Sequence, residues 1–575
     1  MRLSDYIIKF LRDEYDIDTI FTVSGGGCIF LIDSLGTTPG VQYIATHHEQ
    51  AASIAAEGYA RMNGKLGACI VTSGPGCTNA ITGTLCSWLD SVPVIVISGQ
   101  VNTDMTTNYT GLPLRQLGDQ EFNIVESVKN ITKYAVQVND ASEIRYHMEK
   151  ACKLATTGRP GPVWIDIPLN IQSTNIEPET LIGYTDEQPE YKPEPTHIDV
   201  LMEKWRSAKK PLLVVGNGVR LSGAVDDIRE VLDNTSIPTI TAINGNDIVN
   251  SDYRYYYGRF GTHAQICANT LLSECDFLLT IGSRLYVRQT GYNFKSFAKQ
   301  AFRVYVDIDS EELNKPTLYP DIAITADAKK FIKELLKNKL PISNPDWLNE
   351  CDDINKAPKV LQRHRDNKNY VSHYAFVEEL STVLPPEHHI VTSDGTANVA
   401  TMQVLDLKGD QRLFTNTGCA PMGYGLPAAI GASVHNKIIC LEGDGSLHLN
   451  IQELQTIKHY NLPIKLILLN NDGYLSIKLS QKSFFNNRYV ASEKNSGVSF
   501  PNFEKIIKAY DIPYCSIKTN RDIQPTLNQF LQQDGPCVCE VFTDPDEYHE
   551  PKVIAKLDKD GKFIPGELKN IQWIE

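Results

Sequence analysis

Two strand ends in the last third of the chain carry residue types that bind metals and phosphates. The apolar run at residues 437–441 ends in Gly-Asp-Gly at 443–445. The next apolar run, at residues 464–469, ends in Asn-Asn-Asp-Gly at 470–473. Between them, apolar residues recur at helical spacing over residues 447–457. This strand, helix, strand order predicts that both polar ends lie at one edge of a parallel sheet.

The oxygen atoms of Asp444 and Asn471 are of the kind that Mg²⁺ or Ca²⁺ prefers, and a neighbouring helix N-terminus favours a phosphate group. Gly445 would let a ligand approach the backbone closely. A magnesium ion held by few protein ligands completes its coordination with phosphate oxygens and water. The site therefore predicts a diphosphate-bearing cofactor. Gly-Asp-Gly alone is also a common turn, and its spacing to Asn-Asn is what favours the metal site.

The Gly-Asp-Gly sequence, its helical spacer and the Asn-Asn pair resemble the motif of thiamine-diphosphate-dependent enzymes. This resemblance implies that Asp444 and Asn471 give side-chain oxygens to Mg²⁺ and that Gly473 gives a main-chain carbonyl. It also implies that thiamine diphosphate is the cofactor. The same motif neighbourhood contains Gly445, Ser446 and Tyr474.

A second segment, HHEQAASIAAEGYARMNG at residues 47–64, resembles the acetolactate-synthase branch of these enzymes. By this resemblance Glu49 is the catalytic carboxylate that contacts the pyrimidine ring of the cofactor. That chemistry needs a protonated carboxyl, a form that apolar neighbours such as the following alanines favour. A glutamate that opens a helix is also explained by the helix dipole. Glu57 is a rival carboxylate, but its place in AAEGYAR favours a packing role.

Further segments extend the resemblance over nearly the whole chain. GRPGPVWIDIP at residues 158–168 matches the end of the pyrimidine-binding domain, and RLFTNTGCAPMGYGLPAAIGA at 412–432 matches the stretch that supports the bent cofactor. There Met422 matches the apolar wedge between the two rings, and Ala420 is expected to bind the pyrimidine through its backbone. On composition alone, Met422 is equally consistent with core packing. Two residues match a diphosphate-contacting position, Gly395 and Thr396.

Differences from the simple pyruvate decarboxylases, mainly in the N-terminal domain, favour carboligation over release of an aldehyde as the predicted reaction. Simple pyruvate decarboxylases carry a His-His pair there, whereas no histidine lies between His48 and His147. They also carry a glutamate soon after the Asn-Asn motif, near the position of Ile477. Acetolactate synthases instead carry a glutamine that Gln120 matches, although a solvated loop glutamine is the other explanation.

The acceptor site departs from that of the biosynthetic acetolactate synthases. Arg288 matches their substrate arginine, but Tyr286 and Val287 replace their paired acidic residues, and their tryptophan is missing from residues 475–485. We therefore expect pyruvate or a related 2-keto acid as donor, and a keto acid or keto sugar as carbonyl acceptor. The alternatives are a non-ligating 2-keto-acid decarboxylase and a non-catalytic cofactor-binding scaffold.

The resemblance leaves flavin binding open and implies an oligomer. Gly-Asn-Gly at residues 216–218 and Gly-Ser-Arg at 282–284 resemble flavin-contacting positions, but motifs this short are weak signals. Enzymes of this family bind the cofactor between the first domain of one subunit and the third domain of its partner. A homodimer or homotetramer is therefore expected.

The candidate residues lie at strand ends, so an α/β scaffold must position them. A chain of 575 residues is too long for one hydrophobic core, so this scaffold should consist of several domains. Short β-branched runs alternate with helical patterns in three blocks, which predicts three doubly wound parallel sheets covered by helices. Polar stretches at residues 176–196 and 343–369 separate the blocks. The predicted divisions are a pyrimidine-binding domain at residues 1–180, a middle Rossmann-like domain at 190–342, a diphosphate- and magnesium-binding domain at 370–546, and a C-terminal tail at 547–575.

Composition narrows the partners and the compartment. The net charge of -14 argues against a nucleic-acid partner. The N-terminus mixes charges into its apolar positions, unlike a signal peptide, and no later run is long enough to cross a bilayer. The thirteen cysteines are scattered without a CxxC pair, which predicts a reduced, cytoplasmic compartment and thiols used as small core residues.

Overall fold

The computed structural model describes residues 1–185, 191–557, 559–560 and 562–574. These residues form three six-stranded sheets and two short two-stranded ladders. Every pairing inside the three large sheets is parallel. The predicted fold class, α/β with three parallel-sheet domains, is confirmed.

The first domain holds its sheet between two layers of helices. Its strands are β1 (Thr19–Thr22), β2 (Gln42–Ala45), β3 (Gly67–Val71), β4 (Val94–Gln100), β5 (Tyr134–Gln137) and β6 (Val163–Pro168). Its helices are α1 (Leu3–Tyr15), α2 (Ile29–Thr37), α3 (Glu49–Asn63), α4 (Pro75–Asn79), α5 (Ile81–Leu89), α6 (Thr107–Thr110), α7 (Ile124–Val128), α8 (Ile144–Thr156) and α9 (Leu169–Gln172). The strand order is β2-β1-β3-β4-β6-β5. Along β3, Cys69 and Val71 face one apolar cluster and Ala68 and Ile70 face another, so both sides of the sheet are buried.

The middle domain has the strand order of a Rossmann fold. Its strands are β7 (Pro211–Val215), β8 (Thr239–Thr241), β9 (Tyr256–Arg259), β10 (Phe277–Ile281), β11 (Phe302–Asp307) and β12 (Ile322–Thr325). Its helices are α10 (Pro195–Ser207), α11 (Gly218–Leu221), α12 (Val225–Thr235), α13 (Ile266–Glu274), α14 (Val287–Thr290), α15 (Ser310–Asn314) and α16 (Ala328–Leu336). The order β12-β11-β10-β7-β8-β9 places the first and fourth strands side by side at the centre, where the chain direction across the sheet reverses and a ligand crevice opens.

The third domain repeats the topology of the first. Two short helices lead into it, α17 (Pro345–Ile354) and α18 (Gln362–Arg365). Its strands are β13 (His388–Thr392), β14 (Leu413–Phe414), β15 (Lys437–Gly443), β16 (Ile464–Asn470), β17 (Tyr514–Ile517) and β18 (Cys537–Phe542). Its helices are α19 (His373–Val383), α20 (Thr396–Val404), α21 (Gly425–Ala432), α22 (Asp444–Leu449), α23 (Glu453–His459), α24 (Leu475–Phe484), α25 (Phe503–Ala509) and α26 (Ile523–Leu531). The strand order is β14-β13-β15-β16-β18-β17.

Of the two polar stretches between domains, the second is described in full. Part of the stretch at 176–196 lies outside the described residues. The stretch at 343–369 is not a bare connection, because Asn344 caps α17 and Trp347 is 1% exposed. The Trp347 indole donates a hydrogen bond to Pro211 O at 3.0 Å, which fixes α17 to the start of β7.

The first and third domains touch through a close helix crossing. A β-carbon on Gly58 of α3 would lie 2.2 Å from Ala428 O, and one on Gly431 of α21 would lie 1.8 Å from Ala55 O. Only glycine permits this approach. The crossing brings the start of α3, and so Glu49, toward the third domain.

The tail at residues 547–575 packs back on the molecule where it is described. Strands β19 (Lys552–Val553) and β22 (Ile571–Gln572) pair with each other, as do β20 (Lys556–Leu557) and β21 (Phe563–Ile564). Leu568 is 4% exposed, and its carbonyl accepts a hydrogen bond from Asn269 Nδ2. Among the described residues, none of the helices combines the length and apolar character needed to cross a membrane.

Candidate active site

Asp444 and Asn471 lie together at the carboxyl ends of the neighbouring strands β15 and β16. Asp444 is 2% exposed. Its Oδ1 accepts a hydrogen bond from Gly445 N at 2.7 Å, and its Oδ2 accepts from Asn471 N at 3.0 Å and from Gly473 N at 3.3 Å. The structure therefore gathers the three predicted metal-binding residues into one cluster at the start of α22.

This cluster contains oxygen atoms that the protein itself leaves unpaired. Asn471 Oδ1 and Glu442 Oε1 are buried and have no hydrogen-bond partner among the described residues. Since buried acceptors are normally paired, a free amide oxygen beside a buried carboxylate suits a bound cation. Burial raises the pKa of Asp444 to about 7, although backbone donors act in the opposite direction. A cation would favour the ionised carboxylate, so the donor set fits Mg²⁺.

The start of α22 packs closely against the Tyr474 ring at residue 445. A β-carbon on Gly445 would lie 2.3 Å from a carbon of the Tyr474 ring. The neighbouring Ser446 Oγ accepts a hydrogen bond from Gly423 N at 2.7 Å. This bond ties α22 to the turn that leads into α21.

That turn, residues 416–423, is held by hydrogen bonds to its backbone and exposes the Met422 side chain. Asn416 Oδ1 accepts hydrogen bonds from Cys419 N at 3.0 Å and Ala420 N at 3.2 Å. Ala420 has a φ of 51°, in the left-handed region. Met422 is 37% exposed, so it is not core filler and its side chain is free to contact a ligand.

The end of a third strand, β13, lies beside the Asp444 cluster and contacts the middle domain. Strand β13 pairs directly with β15, and after it Gly395, with a φ of 78°, precedes α20. Thr396, the first residue of α20, is 7% exposed. Asp394 Oδ1 accepts a hydrogen bond from Arg288 Nη1 at 3.3 Å. Arg288, the predicted substrate residue, therefore reaches the strand end that carries the predicted diphosphate contacts.

The two glutamates of α3 have different surroundings. Glu49 is half-buried, and its Oε2 accepts a hydrogen bond from Asn79 Nδ2 at 2.9 Å. Glu57 is fully buried, paired with Arg61 at 2.7 Å and bonded to Asn416 Nδ2 at 3.0 Å. Burial raises the pKa of Glu57. The contacts of Glu57 are those of a packed structural group, whereas Glu49 keeps access to a ligand.

Gln120 and Glu49 lie on opposite sides of the segment that contains Gly74 and Gly76. Gln120 is exposed and has a φ of 56°, and its carbonyl oxygen lies 2.6 Å from where a β-carbon on Gly74 would stand. A β-carbon on Gly76 would lie 3.5 Å from Glu49 Oε1. The two predicted catalytic residues thus flank the same glycine-rich turn. No hydrogen bond or ion pair between described residues joins either of them to Asp444.

The glycine pairs of the middle domain pack against each other. A β-carbon on Gly216 would lie 2.2 Å from Gly282 O, and one on Gly218 would lie 2.7 Å from Gly282 Cα. The close approach of the segments that follow β7 and β10 is enough to explain these glycines, whether or not a ligand binds there. Arg284 Nη1 donates to Leu89 O at 2.7 Å beside a cavity of about 120 Å³. The motif therefore gives no separate support to a flavin.

Three polar residues around the cluster lie outside the sequence prediction: Asp394, Glu442 and His549. Ser-Asp-Gly-Thr at residues 393–396 resembles Gly-Asp-Gly-Ser at 443–446, a signal that points to Asp394. The signal for Glu442 is an acid placed directly between the apolar run at 437–441 and Gly-Asp-Gly. No sequence signal joins His549 to Thr396, which it contacts from 153 residues away.

A buried carboxylate beside a free amide oxygen at the carboxyl edge of a parallel sheet, with a separate carboxylate on a neighbouring domain, is the arrangement expected of an enzyme that uses a diphosphate cofactor. Three family models match the chain: the N-terminal TPP binding domain of thiamine pyrophosphate enzymes at residues 1–126, their central domain at 198–335, and their C-terminal TPP binding domain at 394–541.

The chain is also similar along its length to named synthases. It is 32% identical to the acetolactate synthase isozyme 2 large subunit of Escherichia coli, over 95% of this chain and 96% of that one. It is 31% identical to the acetolactate synthase large subunit of Lactococcus lactis (97% and 95% covered) and to the chloroplastic acetolactate synthase of Arabidopsis thaliana (97% and 83%). The chain thus belongs to the thiamine-diphosphate-dependent enzymes, in the acetolactate-synthase-like group.

Proposed function

We propose that this protein is a thiamine-diphosphate- and Mg²⁺-dependent carboligase. It would decarboxylate a 2-keto acid, with pyruvate the expected donor, and transfer the two-carbon unit to a carbonyl acceptor. The observation that carries this proposal is the buried pair of Asp444 and Asn471, whose free amide oxygen fits a cation. The full-length similarity to acetolactate synthases supports ligation as the outcome.

The cofactor would be held by three strand ends of the third domain. Asp444, Asn471 and the Gly473 carbonyl would bind Mg²⁺, and the backbone around Gly445 would bind the diphosphate, together with Ser446, Gly395, Thr396 and Tyr474. Met422 and Ala420 would support the pyrimidine end. When bound, thiamine diphosphate supplies the electron sink for loss of carbon dioxide.

Glu49 would hold the proton that the aminopyrimidine requires. Asn79 donates a hydrogen bond to Oε2, so it orients the carboxyl and leaves Oε1 to exchange the proton. Gln120, on the other side of the turn at residues 74–76, would donate its amide to the reacting carbonyl. Both groups are more exposed than the metal cluster, as substrate access requires.

Arg288 would bind the carboxylate of a keto acid. Its guanidinium is 42% exposed, and its ion pair with Asp394 spans 3.3 Å. Partly exposed ion pairs of this kind contribute little to the free energy of folding. A substrate carboxylate can therefore replace Asp394 as the partner of Arg288. No tryptophan stands in α24, where Ile477 is 51% exposed. This leaves room for a keto sugar as acceptor, beside a keto acid.

The first test combines the purified protein with thiamine diphosphate, Mg²⁺ and pyruvate, and measures carbon dioxide release and the carbon product. Acetolactate identifies a keto-acid acceptor. Release of carbon dioxide only when an aldehyde or keto sugar is added identifies ligation to that acceptor. Acetaldehyde as the sole product would replace ligation by simple decarboxylation. No turnover with any keto acid, and an unchanged cellular role for Glu49→Gln, would favour the scaffold.

A homo-oligomer with shared active sites forms part of the proposal, as dimer or tetramer. It is supported by the segment at residues 105–122, which carries Gln120 and exposes apolar side chains that a second copy of the chain would cover. These side chains belong to Met105, Tyr109, Leu112, Leu114, Leu117 and Phe122.

Co-expression of two inactive variants tests the sharing of sites. Glu49→Gln in one copy and Asp444→Asn in the other leave one intact site per mixed dimer, if each site uses both copies. Random pairing then restores about a quarter of wild-type activity. Failure to restore any activity would mean that one chain supplies both residues.

Flavin binding stays a prediction that purification tests directly. A yellow protein that releases FAD on denaturation would establish it, and a colourless protein that gains no colour from added FAD would reject it.

A further inference from the structure

The first part of the tail, residues 547–553, is fixed firmly beside the candidate cofactor site. Glu547 accepts hydrogen bonds from Ser372 Oγ at 2.5 Å and from His373 N at 2.8 Å. Glu550 Oε1 contacts His364 Nε2 at 2.8 Å. The carbonyl of the next residue, Pro551, accepts from Gln403 Nε2 at 2.6 Å. These bonds hold the residues on both sides of His549 against α18, α19 and α20.

His549 points at the start of α20. It is 5% exposed, and its Nε2 lies 3.0 Å from Thr396 Oγ1. The rings of His373 and His263 pack edge-on against His549, with centroids 5.8 and 6.5 Å away. Burial, with smaller contributions from these histidines and Lys552, holds the pKa of His549 well below its usual range. The imidazole is therefore neutral and carries one N–H.

We propose that His549 is a positioning residue of the cofactor site, which holds the Thr396 hydroxyl as a donor to the diphosphate. The inference rests on the proposed function, in which Thr396 contacts the diphosphate. It assigns a role to the tail, which lies beyond the residues that the C-terminal family model matches.

The direction of the hydrogen bond decides the chemistry. If Nε2–H donates to Thr396 Oγ1, the hydroxyl proton is free to be donated to a phosphate oxygen. If Nε2 accepts instead, the hydroxyl proton is used up and only lone pairs face the diphosphate, which repels them. The Nε2–H form is thus the one that favours cofactor binding, and the tightly bonded tail holds the ring in place for it.

Two amide substitutions separate this role from simple packing. In His549→Gln the amide nitrogen stands near the Nε2 position and reaches Thr396, whereas in His549→Asn it stands near Nδ1 and does not. With thiamine diphosphate and Mg²⁺ as the titrated ligands, we expect about tenfold weaker binding for His549→Asn and less than about threefold for His549→Gln. The thermal stability of the cofactor-free protein should be similar in the two variants.

Thr396→Val completes the test. We expect this variant also to bind thiamine diphosphate about tenfold more weakly, and His549→Asn to add nothing further in its background, because both changes remove the same donor. Equal affinities for the Asn and Gln variants, or a full extra loss in the double variant, would overturn the proposal. A wild-type protein that does not bind thiamine diphosphate would instead refute the proposed function, before any variant is compared.

Discussion

The first and third domains share one sheet topology but present different chemistry at equivalent strand ends. Counted within each domain, both sheets run in the order second, first, third, fourth, sixth, fifth strand. In the third domain, Asp444 follows the third strand and Asn471 follows the fourth. In the first domain, the turn after the third strand contains Gly74 and Gly76, and the carboxylate is Glu49, after the second strand. The topology fixes where a ligand binds, and the side chains fix what each domain does to it.

The two carboxylates also differ in how firmly they are held. Asp444 is buried and accepts three backbone hydrogen bonds, which suits a permanent ligand for a cation. Glu49 is half-buried and accepts a hydrogen bond from the Asn79 side chain, which suits a group that must gain and lose a proton. The comparison predicts that the third domain controls cofactor affinity, while the first controls turnover.

The largest effect is expected from Asp444→Asn. Loss of the charged ligand should weaken binding of thiamine diphosphate with Mg²⁺ by more than roughly 100-fold and abolish turnover. Isothermal titration measures the affinity. Asp472→Asn is the matched control, because Asp472 is exposed in the same turn, and it should bind normally. Equal affinities for the two variants would remove Asp444 from the metal site.

Glu49→Gln should separate turnover from affinity. We expect roughly 10²–10⁴-fold slower turnover, since a proton-transfer group is lost, with thiamine diphosphate affinity within a few-fold of wild type. Steady-state kinetics and titration of the cofactor give the two values. Glu57→Gln, which breaks the buried pair with Arg61, should mainly lower thermal stability. If Glu57→Gln is the slower enzyme at full cofactor occupancy, the catalytic assignment belongs to the rival.

Gly445→Ala and Gly443→Ala test the close packing at the candidate metal site. A β-carbon on Gly445 meets the Tyr474 ring, whereas a β-carbon on Gly443 has nothing within 4 Å. We expect about tenfold weaker cofactor binding for Gly445→Ala, because Tyr474 must move, and little change for Gly443→Ala. Identical behaviour of the two variants would show that the backbone at 445 does not approach the cofactor.

The smallest expected effect concerns an acid on the sixth strand of the first sheet. Burial raises the pKa of Asp166 to about 7 from its ordinary value of 3.8, although Ser98, Gln100 and Gln137 donate hydrogen bonds to it. The folded protein then binds more protons than the unfolded chain between about pH 4 and 7, so this group's contribution to stability falls as the pH rises through that window.

Asp166→Asn removes this dependence. Between pH 5 and 8 the melting temperature of wild type should fall by a few degrees more than that of the variant. Differential scanning calorimetry at several pH values measures the difference, in which the other titrating groups cancel. Parallel curves would mean that Asp166 is ionised throughout.

Much of the fold and of the candidate metal site at Asp444 and Asn471 could be read from the sequence, because both rest on local patterns. The runs that became β15 and β16 are apolar, and the polar residues that end them are adjacent in the chain to the strands that position them. Parallel pairing of neighbouring strands then suffices to bring Asp444 and Asn471 together. The parallel sheet of the middle domain follows from the same alternation of strands and helices, but its strand order does not, because the first and third domains alternate in the same way and have another order.

The sequence by itself therefore determined the α/β class, the strand ends that carry chemistry, and the family to which they belong. Only the tertiary structure decided which distant groups meet there. Arg288 reaches Asp394 from another domain, Gly58 and Gly431 set how close the first and third domains approach, and His549 returns from the tail to Thr396. The physical reason is that such contacts depend on the packing of whole domains, which no periodicity or spacing along the chain encodes.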